Sequence, residues 1–123
     1  MVKIIWADGS QTRTALETDE GYRQVVPIDG KVTGNHGEWL ALINALHWAE
    51  ILLPPGEVEI RMDSQLIVNQ FNGKYKVKQD KMTYLYTLAR IASLDLLEGP
   101  GIAHRVVWVP REENRAGWLL EGK

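Results

Sequence analysis

Three acids in this chain stand where a fold could make them share a cation. Asp8 ends the apolar run Val2-Lys3-Ile4-Ile5-Trp6-Ala7 and precedes Gly9-Ser10, Glu38 opens a helical pattern, and Asp63 ends Glu57-Val58-Glu59-Ile60-Arg61-Met62. In open α/β sheets ligands gather beyond the carboxyl ends of the strands, so Asp8 and Asp63 can converge there with Glu38 reaching in. Three like charges at close quarters repel unless neutralised. Mg²⁺ neutralises them with oxygen ligands and retains waters that can serve as nucleophile. Taken singly, each acid also has a structural reading: Asp-Gly is a common turn, a Glu in a first helical turn favours the dipole, and Asp-Ser starts a cap.

Positioning such acids takes strands and helices, and the chain signals both. Residues 2–8 read as a strand buried on both faces, ending in turn chemistry at Asp8-Gly9-Ser10. Short β-rich pieces around Tyr22 to Ile28 and near Lys31 to Thr33 are joined by Asp29-Gly30, a strong hairpin turn, while the polar segment Gln11 to Glu20 reads as an ordinary loop. After Gly34-Asn35-His36-Gly37 the period changes. Trp39, Leu42, Ile43, Leu46, Ala49 and Leu53 recur at helical steps until Pro54-Pro55-Gly56. Val58, Ile60 and Met62 then alternate with charged residues in a strand, and Ser64 caps a short helix through Phe71 that Asn72-Gly73 ends. A second long helix covers about Lys78 to Leu97 up to Gly99-Pro100-Gly101. A last strand, Arg105 to Val109, leads to Pro110 and a helical piece from about Glu113. The order β-β-β-α-β-α-α-β-α predicts a mixed sheet flanked by helices.

At 123 residues, 45% of them hydrophobic, the chain suits a single domain over 1–123 with one core. The absence of Cys excludes a disulfide framework, a thiolate zinc site and a cysteine nucleophile. No apolar run approaches a membrane span, and the first residues lack a signal-peptide pattern, so the expected address is cytoplasmic. The net charge of −2 hides an asymmetry. Residues 1–70 carry five Lys/Arg against ten Asp/Glu, and residues 71–115 carry eight against five, including Lys74, Lys76, Lys78 and Lys81. An acidic region precedes a basic one. Trp6, Trp39, Trp48 and Trp108 read as core, leaving Trp118 as the exception.

Four segments resemble the type 1 ribonuclease H family, across nearly the whole chain. They are Ile5-Trp6-Ala7-Asp8-Gly9-Ser10; Asn35-His36-Gly37-Glu38-Trp39-Leu40-Ala41-Leu42; Asp63-Ser64-Gln65-Leu66-Ile67-Val68-Asn69-Gln70 with Asn72-Gly73-Lys74-Tyr75-Lys76-Val77-Lys78; and Trp108-Val109-Pro110-Arg111-Glu112-Glu113-Asn114. The resemblance implies a ribonuclease H-like α/β fold: a five-stranded mixed sheet, three antiparallel strands then two parallel ones, with helices on both faces. It also implies endonucleolytic hydrolysis of the RNA strand of an RNA/DNA hybrid by two metal ions, leaving 5′-phosphate and 3′-hydroxyl ends. Asp8 would bridge both ions, and Glu38 and Asp63 would complete their shells. Gly9, Ser10, Asn35 and Gln65 match positions that contact substrate backbone and the minor groove, where the 2′-hydroxyl marks RNA. Lys74, Lys76 and Lys78 would follow the phosphates of the DNA strand if their segment is extended, and form a solvated face if it is helical.

The chain also departs from that family. Where a fourth carboxylate usually stands, four residues beyond Asn114, it has Trp118, and a one-residue gap would put Gly117 there. Asn114 is therefore the expected fourth ligand, with Glu113 and Glu112 as competitors and helix capping as the alternative. A neutral ligand binds more weakly, so Mn²⁺ is the expected substitute for Mg²⁺. No room remains for the flexible His loop of many members, which leaves His36, beside Glu38, as the only His near the acids. The basic protrusion is missing too. The expected protein is a monomer with no membrane partner. Alternatives are a hybrid-binding module with weak or lost nuclease activity, a same-fold nuclease for another nucleic acid, and an interaction domain in which the acids are structural.

Overall fold

A computed structural model describes residues 2–52, 56–78 and 80–122. The elements in chain order are β1 (Val2–Gly9), β2 (Arg13–Thr18), β3 (Arg23–Pro27), α1 (Gly34–Leu52), β4 (Glu57–Met62), α2 (Gln65–Phe71), α3 (Asp80–Glu98), β5 (Ala103–Trp108) and α4 (Arg115–Leu120), with a 3-10 turn at Arg111–Glu113 before α4. Leu53, the last residue of the first helical pattern, and Pro54 and Pro55 of its stop lie outside the described residues. The sheet order is β3-β2-β1-β4-β5. β1 pairs antiparallel with β2 and parallel with β4, and β4 is parallel to β5. This is the expected five-stranded mixed sheet.

β1 lies at the centre of the sheet, and its two faces go to different neighbours. Ile5 and Ala7 join the core under α1 and α3, while Trp6 packs with Ala15 and Ala116 under α4. That two-sided cover explains the unbroken apolar run in the sequence. α1 is apolar around much of its circumference because it is wedged between the sheet and α3. Trp39 anchors it, fully buried and edge-on to Tyr86 at 6.0 Å between ring centroids. Burying an indole removes about 200 Å² from water, worth about 5 kcal/mol before ordering costs.

The amino-terminal hairpin differs from the sequence reading. The second strand, β2, lies inside the segment read as a loop, the tight turn runs through Asp19–Gly21, and Lys31 to Thr33 form no strand. In β2 the buried polar side chains are all engaged. Glu17 pairs with Arg23 at 3.0 Å and Arg115 at 3.4 Å, Asn44 Nδ2 donates to Thr14 Oγ1, and Tyr22 N donates to Thr18 Oγ1. β2 is covered on both faces yet polar in composition, whereas the apolar-looking β3 is an exposed edge. Asp29-Gly30 does make a turn, but it returns the chain along Gln11 and Thr12, which accept from Val32 N and Ile28 N.

α1 starts at Gly34, with Thr33 Oγ1 accepting from His36 N, so Glu38 stands in the second turn rather than at the helix opening. The first turn of α1 rests on the end of β1. A Cβ on Gly37 would stand 1.9 Å from the Ser10 carbonyl oxygen, and one on Gly9 would stand 2.0 Å from the Gly37 oxygen. This backbone-to-backbone approach carries Glu38 to the tip of β1 and requires glycine at both places. Gly37→Ala is expected to cost about 3 kcal/mol in urea unfolding, since the helix must retreat from the strand. An unchanged urea midpoint would refute that contact.

Candidate active site

Asp8 at the end of β1, Glu38 in α1 and Asp63 just beyond β4 converge. One carboxylate oxygen from each lies within 4.8 Å of the others. The parallel register of β1 and β4 brings the two strand ends side by side, and the Gly9–Gly37 contact delivers the third acid. Asp8 is 2% exposed and Glu38 9%. Gly9 N donates to Glu38 Oε1 at 3.0 Å, but no donor reaches the buried Oε2. Burial, and then the charge of Asp8, push the Glu38 carboxyl up to about 9, so it holds a proton at neutral pH. Burial also raises Asp8, against the opposing pull of Arg111.

Arg111 is the residue to which sequence reasoning gave no role. Its Nη1 donates to Asp8 Oδ2 and to Asp63 Oδ2, both at 2.7 Å, and its Nη2 donates to Glu121 Oε1 at 3.0 Å. Burial works against this guanidinium's charge, but its bonds to Asp63 and Asp8 outweigh that and raise its pKa. Gly117 makes the room. A Cβ there would stand 2.8 Å from Arg111 Nη1. The signal in the sequence was an arginine directly after Pro110, at the start of a short turn aimed back at the strand ends.

Asn114, expected as the fourth ligand with helix capping as its alternative, caps α4. It is fully buried, its Oδ1 accepts from Ala116 N at 3.1 Å, and its Nδ2 donates to the Ala7 carbonyl at 3.0 Å. The carboxamide therefore fastens α4 to β1 one residue before Asp8, with both polar atoms committed to backbone. Asn114→Ala removes the cap and strands a buried carbonyl, so a loss of about 2–3 kcal/mol is expected in urea unfolding. Asn114→Asp keeps the cap but places a carboxylate against the Ala7 oxygen and should also destabilise. Wild-type midpoints for both variants would remove Asn114 as a fastener. Glu112 and Glu113 lie exposed on the 3-10 turn. Trp118 holds the place expected of an acid and is 40% exposed. Trp108, read as core, is instead 44% exposed beside the site, because its register opposite Met62 brings its Nε1 to donate to the Asp63 carbonyl.

The remaining candidates divide. Ser10 Oγ accepts from Arg13 N and Thr12 N within the turn after β1, so it is a turn residue. Gln65 is exposed at the start of α2, next to the capping Ser64. Asn35, Lys74, Lys76 and Lys78, with Tyr75, line one cleft of about 560 Å³ that starts three residues ahead of Glu38. The Lys74–Lys78 segment forms neither strand nor helix. It is pinned by Asn69, whose carbonyl accepts from Lys74 N and Tyr75 N, and by Gln70, whose Nε2 donates to the Lys76 carbonyl. His36 is half-buried at the head of α1, and His104 pairs with Ser93 and stands opposite Val58, near the start of β4.

No family model matches the chain. Among curated proteins it is similar to the bifunctional protein Rv2228c of Mycobacterium tuberculosis (strain ATCC 25618 / H37Rv), 33% identical over 85 residues, which is 69% of this chain. The chain spans 22% of the length of that relative. Among solved structures it is similar to the N-terminal RNase H domain of Rv2228c from Mycobacterium tuberculosis, with TM-score 0.74 and 27% identity over 92% of this chain and 85% of that one. It is also similar to LC11-RNase H1 in complex with an RNA/DNA hybrid, with TM-score 0.75 and 31% identity over 92% of this chain and 88% of that one.

Proposed function

Because the chain belongs to the ribonuclease H family, we propose that it hydrolyses the RNA strand of RNA/DNA hybrids as a metal-dependent endonuclease. The reading rests above all on the convergence of Asp8, Glu38 and Asp63, one oxygen of each within 4.8 Å of the others. Those residues fit a hard cation: they are all oxygen donors, too close together to remain ionised alone, and two of them, Asp8 and Asp63, already hold the cationic Arg111. Mg²⁺, or Mn²⁺ in its place, supplies when bound an activated water and charge stabilisation for the leaving oxygen. Asp8, Glu38 and Asp63 hold two such ions in this proposal, and the products end in 5′-phosphate and 3′-hydroxyl groups.

The chain's own residues supply the rest. Lys74, Lys76 and Lys78 offer three phosphate contacts in one cleft, which give affinity without sequence choice. Asn35 and Gln65, both exposed near the acids, are placed to meet the minor groove and its 2′-hydroxyls. The peptide of Gly9 orients Glu38. The proposal takes 1–123 as one cytoplasmic, monomeric domain. No helix among the described residues is long and apolar enough to cross a membrane.

A second reading, a hybrid-binding module with weakened turnover, is favoured by Trp118 at the expected acid position and by Arg111 among the acids. One assay separates the two. Labelled RNA/DNA hybrid, double-stranded RNA, double-stranded DNA and single strands are incubated with Mg²⁺ and with Mn²⁺, and product ends are mapped. Ion-dependent cutting of the hybrid alone is the expected result. A hybrid that is bound but uncut with both ions supports the module instead, and preferential cutting of another nucleic acid overturns the substrate.

A further inference from the structure

We propose that the sheet face opposite α1 and α3 binds a nucleic-acid single strand flanking the hybrid, through a row of arginines; the inference rests on the hybrid-nuclease reading above. Strand register sets the row. Arg23 on β3 stands opposite Glu17 on β2, Glu17 opposite Trp6 on β1, and Trp6 opposite Arg61 on β4, while Arg105 on β5 stands opposite Glu59. Side chains alternate along a strand, so all of these point away from the core that Ile5, Leu16 and Ile60 form with α1 and α3. Arg115, the first residue of α4, reaches into the same row. Its guanidinium lies 4.7 Å from the centre of the Trp6 ring, and that of Arg61 lies 5.7 Å from it. Adjacent strands are about 4.8 Å apart, so the track from β3 to β5 runs about 19 Å across the sheet.

The positive charge here exceeds what internal pairing needs. Glu17 serves Arg23 and Arg115, and Glu59 serves Arg61 and Arg105, so two nearly buried carboxylates hold four guanidiniums. Alternation adds Arg13, which donates to the Leu120 carbonyl of α4, and Glu57, leaving five positive groups against three negative in a chain whose net charge is −2. The acids fix the arginines in place without covering them: Arg23 is 66% exposed and Arg105 59%. A guanidinium has five N–H donors, and these ion pairs occupy one nitrogen each of Arg23, Arg61 and Arg115 and two of Arg105. The remaining donors form planar forks that match phosphate and stack on bases. Trp6 is two residues before Asp8, about 7 Å along β1, so a strand leaving the acids meets this track at once. A flexible single strand can follow a twisted sheet, whereas a straight duplex touches it only briefly.

Fluorescence polarisation of the full chain without divalent ions compares a blunt RNA/DNA hybrid with the same hybrid carrying a single-stranded DNA extension at either end. One of the extensions is expected to tighten binding by the wild-type chain about tenfold at low salt. In the double variant Arg23→Gln, Arg105→Gln that gain should vanish, and the slope of log K against log salt for the extended hybrid should flatten by about 1.4, about 0.7 for each lost single-strand phosphate contact. Folding is protected, because Glu17 keeps Arg115 and Glu59 keeps Arg61. Equal binding of blunt and extended hybrids by the wild-type chain, or equal losses for both in the variant, overturns this inference. Cleavage of the blunt hybrid with Mg²⁺ should be the same in wild type and variant. Its absence from both would overturn the nuclease reading, while the polarisation result would still decide whether the arginines hold a single strand.

Discussion

Asp8→Asn should lower hybrid cleavage by about a thousandfold or more, while hybrid binding stays within a few-fold of wild type. Asp8 is the most buried of the three acids, and like Asp63 it touches Arg111. Replacing its charge with a neutral amide removes the anion most central to holding ions, and several kcal/mol of transition-state charge stabilisation goes with it; each 1.36 kcal/mol is a factor of ten. Binding is expected to be spared because the phosphate contacts proposed above fall to Lys74, Lys76 and Lys78, which line a cleft that Asp8 does not line. Folding is spared as well, since burial already disfavours the Asp8 charge and an amide of the same shape meets less cost there. Single-turnover cleavage and fluorescence polarisation on one hybrid provide the two readings. Cleavage within tenfold of wild type would show that Asp8 does not hold the reaction's ions.

The three acids were legible because each closes a segment with its own periodicity. Two alternating or apolar runs end in Asp8 and Asp63, and a helical pattern begins around Glu38, so topology alone brings them together. β2 was not legible, because pattern reading assumes that buried means apolar. Thr14, Glu17 and Thr18 are buried with partners contributed by Asn44, Arg23, Arg115 and Tyr22, and those partners come from sequence up to 98 residues away. The same blindness hid Arg111 and left capping and ion binding as open alternatives for Asn114. A carboxamide that caps and a carboxamide that binds an ion have identical local sequences, and only the Ala7 carbonyl, 107 residues away, distinguishes them. Trp108 was misplaced for a related reason: alternation puts it in a strand, but the strand's last residue lies beyond the cover of the helices.

The ion-free protein should lose stability as pH rises, and divalent ions should reverse the trend. The Glu38 carboxyl titrates near 9 in the folded chain, against 4.5 for the ordinary group. Below the lower value both folded and unfolded chains carry the proton, and the folded state has its full advantage. Between the two values the folded chain keeps a proton that the unfolded chain has released, so unfolding becomes easier by up to about 1.4 kcal/mol per pH unit until the folded group itself ionises. Asp8, also raised by burial, adds in the same direction. An ion at this site requires the ionised carboxylate and must expel the Glu38 proton, so its apparent affinity should climb by about tenfold per pH unit from neutrality toward pH 9. Thermal melts from about pH 6 to about pH 9, with and without saturating Mg²⁺, are expected to diverge: the ion-free melting temperature falls with pH, and the gain from Mg²⁺ grows. In Glu38→Gln both slopes should flatten, leaving only the contribution of Asp8. Parallel melting curves for the wild-type chain would mean that Glu38 neither holds that proton nor yields it to an ion.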